Sequence, residues 1–153
     1  MSIAIIIPAY KESENIENLI FTILSFLKDP MIIIVDDSPN NEIKEKIKRF
    51  NNIRYIYRGK KLGRGSAVIE GMKTLIKEER VNKIIEMDAD LSHSPSEIEN
   101  NLIIFEKNSL DLLISSRYLK DSRIVNWGLQ RRVFSSLANK LAKFVLKIPI
   151  TDY

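Results

Sequence analysis

The strongest constraint on this chain is an alternation of two patterns. Short aliphatic runs of strand length alternate with stretches whose apolar residues recur at helical spacing. Ile3–Ile7 is the first such run and Pro8 ends it, as expected of a strand buried on both faces. Ser13 to Leu27 then sets Ile16, Leu19, Ile20, Ile23, Leu24 and Leu27 at helical intervals, with acidic residues in the first turn. Met31–Val35 repeats the strand pattern and stops at the turn-forming cluster Asp36-Asp37-Ser38-Pro39. Glu42–Phe50 predicts a short helix and Ile53–Tyr57 a third strand. Gly63–Gly65 opens a helix to about Lys77, with Val68, Met72, Leu75 and Ile76 on its apolar side. Lys83–Met87 predicts a fourth strand ending at Asp88-Ala89-Asp90, Pro95 a helix start, and Leu110–Ser115 a fifth strand. Beyond Trp127 a long helix is expected to about Lys147.

Such alternation predicts an α/β sandwich with a mostly parallel sheet and helices on both faces. The length, 153 residues, suits one domain with a sizeable core. A content of 44% hydrophobic and 29% charged residues excludes a disordered or collagen-like chain. The absence of Cys excludes disulfides and thiolate metal sites, and a lone His excludes multi-histidine zinc. No apolar run is long enough to span a bilayer, and no signal peptide is read, so the expected compartment is the cytosol.

In parallel sheets ligands sit beyond the carboxyl ends of the strands, near the point where strand order reverses. Three segments fall there: Pro8-Ala9-Tyr10-Lys11-Glu12, Asp36-Asp37-Ser38 and Asp88-Ala89-Asp90, and all three carry carboxylates. Asp88 and Asp90, two apart in an extended turn, can aim two carboxylates into one space, where their repulsion favours a cation. Oxygen ligands alone point to Mg²⁺ or Mn²⁺, which complete their shells with substrate phosphates. The alternative is a pair of loop-capping acids. Asp36-Asp37 can likewise form an Asx turn that stops its strand, or accept N–H donors from a nucleobase. Gly63-Arg64-Gly65 matches neither a P-loop nor a dinucleotide fingerprint and reads equally as a turn plus helix start. His93 reads as a capping or solvent-exposed residue, and Trp127 as a packing anchor or an aromatic contact to glycan or lipid.

Charge is uneven. Residues 1–112 hold 16 basic and 18 acidic side chains, residues 113–153 hold 8 basic and 2 acidic. The basic last third suits an anionic partner or a solvated helix face. Its long helix carries an apolar stripe of Val133, Phe134, Leu137, Leu141, Phe144, Val145 and Ile148. That stripe can pack on the domain or lie in a membrane interface.

Taken in order, these stretches resemble the inverting glycosyltransferases of family 2 with the GT-A fold, and among them the dolichyl-phosphate mannosyltransferases (polyprenyl-phosphate glycosyltransferases). Ile5-Ile6-Ile7-Pro8-Ala9-Tyr10-Lys11-Glu12 resembles the family's I-P-[TA]-Y-x-E opening. Ile33-Ile34-Val35-Asp36-Asp37-Ser38-Pro39 is similar to V-D-D-x-S-P with one residue fewer. Lys61–Ala67 resembles K-x-G-L-G-[ST]-A with Arg64 in place of Leu. Met87–Pro95 is similar to M-D-A-D-L-[SQ]-H-x-P, the most specific stretch. Ser116-Arg117-Tyr118 and the run Trp127, Arg131, Ser135, Ala138, Asn139 resemble S-R-Y and W-x₃-R-x₃-S-x₂-A-N of that subgroup. The chain stops at Thr151-Asp152-Tyr153, where the family continues D-x-x-S-G-F and further helix, so a C-terminally shortened domain is expected.

The resemblance implies a single GT-A domain, with residues 1–118 binding a nucleotide sugar and 119–153 forming a basic acceptor- and membrane-side helix. It places Pro8, Tyr10, Glu12, Val35 and Asp37 around the nucleoside, Asp37 facing the base. Asp88 and Ala89 would lie by the ribose and diphosphate, and Asp90 with Asp88 would hold Mg²⁺ or Mn²⁺, Ser92 standing where some relatives have Gln. Arg117, Arg131 and Ser135 would face phosphates, Arg131 and Ser135 those of the acceptor. Asp90, Arg117 and Arg131 are thereby the expected catalytic groups. The implied reaction moves a hexose, mannose from GDP-mannose, to dolichyl or polyprenyl phosphate at the cytosolic face of a membrane. Transfer to a glycan hydroxyl and nucleotide-sugar binding without catalysis are the alternatives. Nucleic acid is not an expected partner, since three acidic loops would repel its backbone.

Overall fold

The structure, a computed structural model, describes residues 2–116, 118–119, 128–148 and 152. Arg117 and Trp127 lie outside them, as does the side chain of Arg131. Two compact units are present, Met1–Leu102 and Ile103–Tyr153.

The first unit is built on a parallel sheet of β1 (Ser2–Ala9), β2 (Met31–Asp36), β3 (Ile53–Tyr57) and β4 (Val81–Glu86), in the order β3-β2-β1-β4. Ala4 pairs with Met31 and Ala9 with Asp36, so the carboxyl ends of β1 and β2 finish level. Side chains alternate between the two faces because the strand period is two. Ile5, Ile7, Ile32 and Ile34 meet α1 (Ile16–Phe26) through Ile16, Leu19, Ile20 and Ile23, together with Ile43 and Ile47 of α2 (Glu42–Ile47). Ile98, the first residue of α4 (Ile98–Lys107), closes this layer after a single 3₁₀ turn at Pro95–Glu97. On the opposite face Ala4, Ile6, Ile33 and Val35 meet Ala67 and Leu75 of α3 (Arg64–Leu75). The sandwich with helices on both faces is therefore formed as expected.

Two expectations are corrected. Helix α3 does not use Met72 and Ile76 for packing, since they are 42% and 80% exposed. Its contact line is Ala67, Gly71 and Leu75, four residues apart; Leu75 is buried as expected, while at Gly71 α3 lies too close to the sheet for a larger group. A Cβ added to Gly71 would stand 2.7 Å from Ile6 Cγ2. The second correction concerns Leu110–Ser115, which is not a strand. A strand is defined by its ladder partner, and no described strand pairs with this run; Leu112 is 72% exposed.

The second unit contains α5 (Leu129–Leu146), ended by Lys147 in the left-handed conformation. Its half-covered positions are Ser135, Ser136, Asn139 and Ala142. The apolar stripe from Val133 through Leu137 and Leu141 to Phe144 faces away from them and is exposed.

Candidate active site at the strand-order reversal

From β1 the chain adds strands in one direction, β2 then β3, and then returns to β1's other edge as β4. The reversal opens a crevice beyond the carboxyl ends of β1 and β4. All three expected segments reach this rim; the first two are bonded to each other, and the third follows β4 where it pairs with β1. The Asp37 N–H donates to the Ala9 carbonyl at 2.9 Å, the Met87 N–H to the Ile6 carbonyl at 3.1 Å, and the Lys11 N–H to Ser38 Oγ at 2.8 Å. Lys11 and Leu91, in the loops flanking the crevice, have φ of 62° and 61°. Neither residue type favours the left-handed region, so the loops are held there by their surroundings.

The neighbouring acids Asp36 and Asp37 have different tasks. Asp36, fully buried, accepts the Ser38 N–H at 2.8 Å in an Asx turn and the Tyr55 hydroxyl at 2.7 Å. Burial, followed by the bond to Asp36, pushes the Tyr55 phenol far above its ordinary value. Asp37 accepts Arg58 Nε on one oxygen, and the Leu62 and Gly63 N–H groups at 2.7 and 3.1 Å on the other. Burial acts to raise its pKa, but Arg58 and the two backbone donors outweigh this and hold it below the ordinary carboxylate value. Arg58, with its side chain only 5% exposed, also donates to Ser66 Oγ and the Gly63 carbonyl. Sequence reasoning missed Arg58. Its signal was position: it directly follows the strand Ile53–Tyr57 and so stands on the rim beside Asp37. Gly63 has φ of 96°, which lets its N–H and carbonyl serve this clamp together. Gly63-Arg64-Gly65 is thus a turn plus helix start.

Just beyond β4, Asp88 Oδ1 accepts Arg64 Nε at 2.7 Å, and Arg64 also pairs with Glu86, the strand's last residue. The Asp88 N–H donates to His93 Nδ1 at 3.2 Å, so His93 closes the 88–93 loop. Asp90 is exposed and accepts the Ser92 N–H at 2.9 Å. Partial burial acts to raise its pKa, but Ser92 and the nearby His93 bring it below the ordinary value. Glu12 accepts Asn15 Nδ2 at 2.7 Å, and the ring of Tyr10 lies 4.6 Å under Lys61 Nζ. Pro8, Val35 and Ala89 are buried, so Val35 and Ala89 present backbone rather than side chain to any ligand at the rim. In the second unit the Tyr118 hydroxyl donates to Ser135 Oγ at 2.6 Å, joining the S-R-Y stretch to α5.

Among the described residues no three Asp, Glu or His side chains converge as a metal cage. Asp88 and Asp90 offer two hard carboxylates, a donor set that fits Mg²⁺ or Mn²⁺ completed by water and phosphate oxygens and does not fit zinc.

Comparison with known proteins decides the family. Residues 4–153 match the model of Glycosyl transferase family 2. The chain belongs to that family. A dolichol-phosphate mannosyltransferase of Pyrococcus furiosus is 35% identical over 95% of the chain and 42% of its own length. A polyprenol monophosphomannose synthase of Mycolicibacterium smegmatis is 30% identical over 97% of the chain and 57% of its own length. The chain thus spans about half the length of these relatives. The crystal structure of Staphylococcus aureus TarS 1–349 superposes with a TM-score of 0.56 and 18% identity, covering 83% of the chain and 39% of TarS. At that identity the likeness establishes the shared fold.

Proposed function

We propose that this protein is a metal-dependent inverting glycosyltransferase that moves mannose from GDP-mannose to a polyprenyl phosphate. The observation that carries the reading is the Asp88–Asp90 loop at the reversal crevice, in a family-2 chain similar along nearly its whole length to two polyprenol-linked mannose enzymes. The nucleoside would lie against the Pro8–Glu12 loop and Val35, with Asp37 toward the base. Since both Asp37 oxygens already accept bonds, base reading requires an exchange of partners or a bifurcated contact. Asp88 and Asp90 would hold Mg²⁺ or Mn²⁺, which when bound would supply positive charge to the diphosphate leaving group.

Arg117 and Arg131 would add positive charge around the phosphates, and Ser135 would contribute a hydroxyl on the acceptor side. The acceptor, a phosphate monoester with a second pKa of about 6, is largely dianionic at neutral pH. It is already a nucleophile, so no general base is assigned. Transfer to a glycan hydroxyl would require one.

Membrane association follows from the same reading. No described helix is long and apolar enough to cross a bilayer. The exposed apolar stripe of α5, flanked by Lys140, Lys143 and Lys147, suits an anionic interface instead.

The test is incubation with radiolabelled GDP-mannose, Mn²⁺ and polyprenyl phosphate. The expected products are GDP and a polyprenyl β-mannosyl phosphate, and both should disappear in EDTA and in Asp90→Ala. Label in a soluble glycan would favour the hydroxyl acceptor, and Mn²⁺-dependent GDP-mannose binding without turnover the non-catalytic reading.

A further inference from the structure

Arg64 stands where the resembled glycine-rich stretch carries leucine, and it is the first residue of α3. Its guanidinium reaches across to the end of β4, where Nε donates to Asp88 Oδ1 at 2.7 Å and Nη2 pairs with Glu86. One protein cation therefore already sits between two carboxylates, one of them a proposed metal ligand. A leucine there would remove that cation, leaving Asp88 with only the more distant His93 Nε2 at 3.9 Å from Oδ2, and both carboxylates more attractive to another cation. A guanidinium both occupies an Asp88 oxygen and repels an approaching dication. The contact is half open to solvent, with Arg64 53% and Asp88 28% exposed, so it is exchangeable.

We propose that Arg64 is a positioning residue that acts as the resident counter-cation of Asp88. In the nucleotide-free protein it keeps the divalent ion weakly bound. The ion binds well only with the nucleotide diphosphate, whose negative charge compensates the guanidinium. This inference rests on the metal reading of Asp88 and Asp90.

The experiment measures Mn²⁺ binding without nucleotide, from the electron paramagnetic resonance signal of the free ion, for the parent, Arg64→Leu, Arg64→Gln, Arg64→Lys and Asp90→Ala. Arg64→Leu and Arg64→Gln are expected to bind Mn²⁺ about three- to tenfold more tightly, the range set by a partly screened pair. Arg64→Lys should fall between, keeping the charge but losing the two-pronged geometry. The gain should shrink at about 0.5 M salt. The neutral polar variant keeps the test decisive should leucine disturb α3. Equal affinities in the parent and both neutral variants, with binding lost in Asp90→Ala, overturn the role of Arg64 and leave the metal reading standing. Binding indifferent to Asp90→Ala throughout overturns both.

Discussion

At the scale of single residues, Asp37 and Arg58 show how a carboxylate at a strand end acquires its job. Both side chains are 5% exposed, so breaking the pair strands a buried charge. Asp37→Asn is therefore expected to cost about 3 kcal/mol near neutral pH. Because the fold lowers the pKa of Asp37 from 3.8, its contribution is complete above about pH 4 and lost as pH falls through the lowered value. Urea unfolding of parent and variant should differ by a constant amount between about pH 5 and 7 and converge below pH 4. Parallel curves down to acid pH would remove Asp37 as the titrating partner. That an acid sits at this strand end was legible from the run Met31–Val35 and the turn residues after it. Its partner was not: Arg58 lies 21 residues on, among exposed Lys60 and Lys61 of the same charge, and only the sheet sorts one from the others.

Element by element, periodicity located α3 and its buried Leu75, but carried the contact side too far round, to exposed Met72 and Ile76. A hydrophobic stripe is read from large residues, whereas a helix laid close on a sheet needs small ones at the approach. Gly71→Ala tests this directly. Alanine should favour the helix by about 1 kcal/mol over glycine. The added Cβ, however, would stand 2.7 Å from Cγ2 of the fully buried Ile6, so Ile6 or the helix must shift. Overpacking should win, with a net loss of about 1–2 kcal/mol in denaturant unfolding. Met72→Ala, at a 42% exposed site, should lose less than about 1 kcal/mol. The reverse ranking would restore the stripe expected from spacing. Leu110–Ser115 teaches the same lesson for strands: its residues suit a ladder, but pairing depends on a neighbour that no local pattern encodes.

For the molecule as a whole, the open question is what meets the apolar side of α5. Along α5 the half-covered positions, Ser135, Ser136, Asn139 and Ala142, are small or polar, and Phe144 is 80% exposed. Burying a phenylalanine contributes about 1.5–3 kcal/mol, so Phe144→Glu should cut partitioning onto anionic vesicles about tenfold or more. Sedimentation with vesicles of increasing anionic lipid content measures this, and raised salt should weaken the parent's binding as well. Undiminished sedimentation of the variant would show that lipid is not what covers the stripe.

The sequence by itself determined the first four strands and the helices between them, the parallel α/β class and the three acidic segments at strand ends, because strand runs, helical spacing and turn residues are local physics. It also carried the stretches by which the chain resembles family 2. Only the tertiary structure decided which charges meet there. Strand order β3-β2-β1-β4 brings Asp37 to Arg58 and the 62–63 backbone, while α3 delivers Arg64 to Asp88 and Glu86. Those partners are 21 to 26 residues apart along the chain. Electrostatic and hydrogen-bonding interactions depend on separation in space, which the packed sheet and helices set and sequence spacing does not.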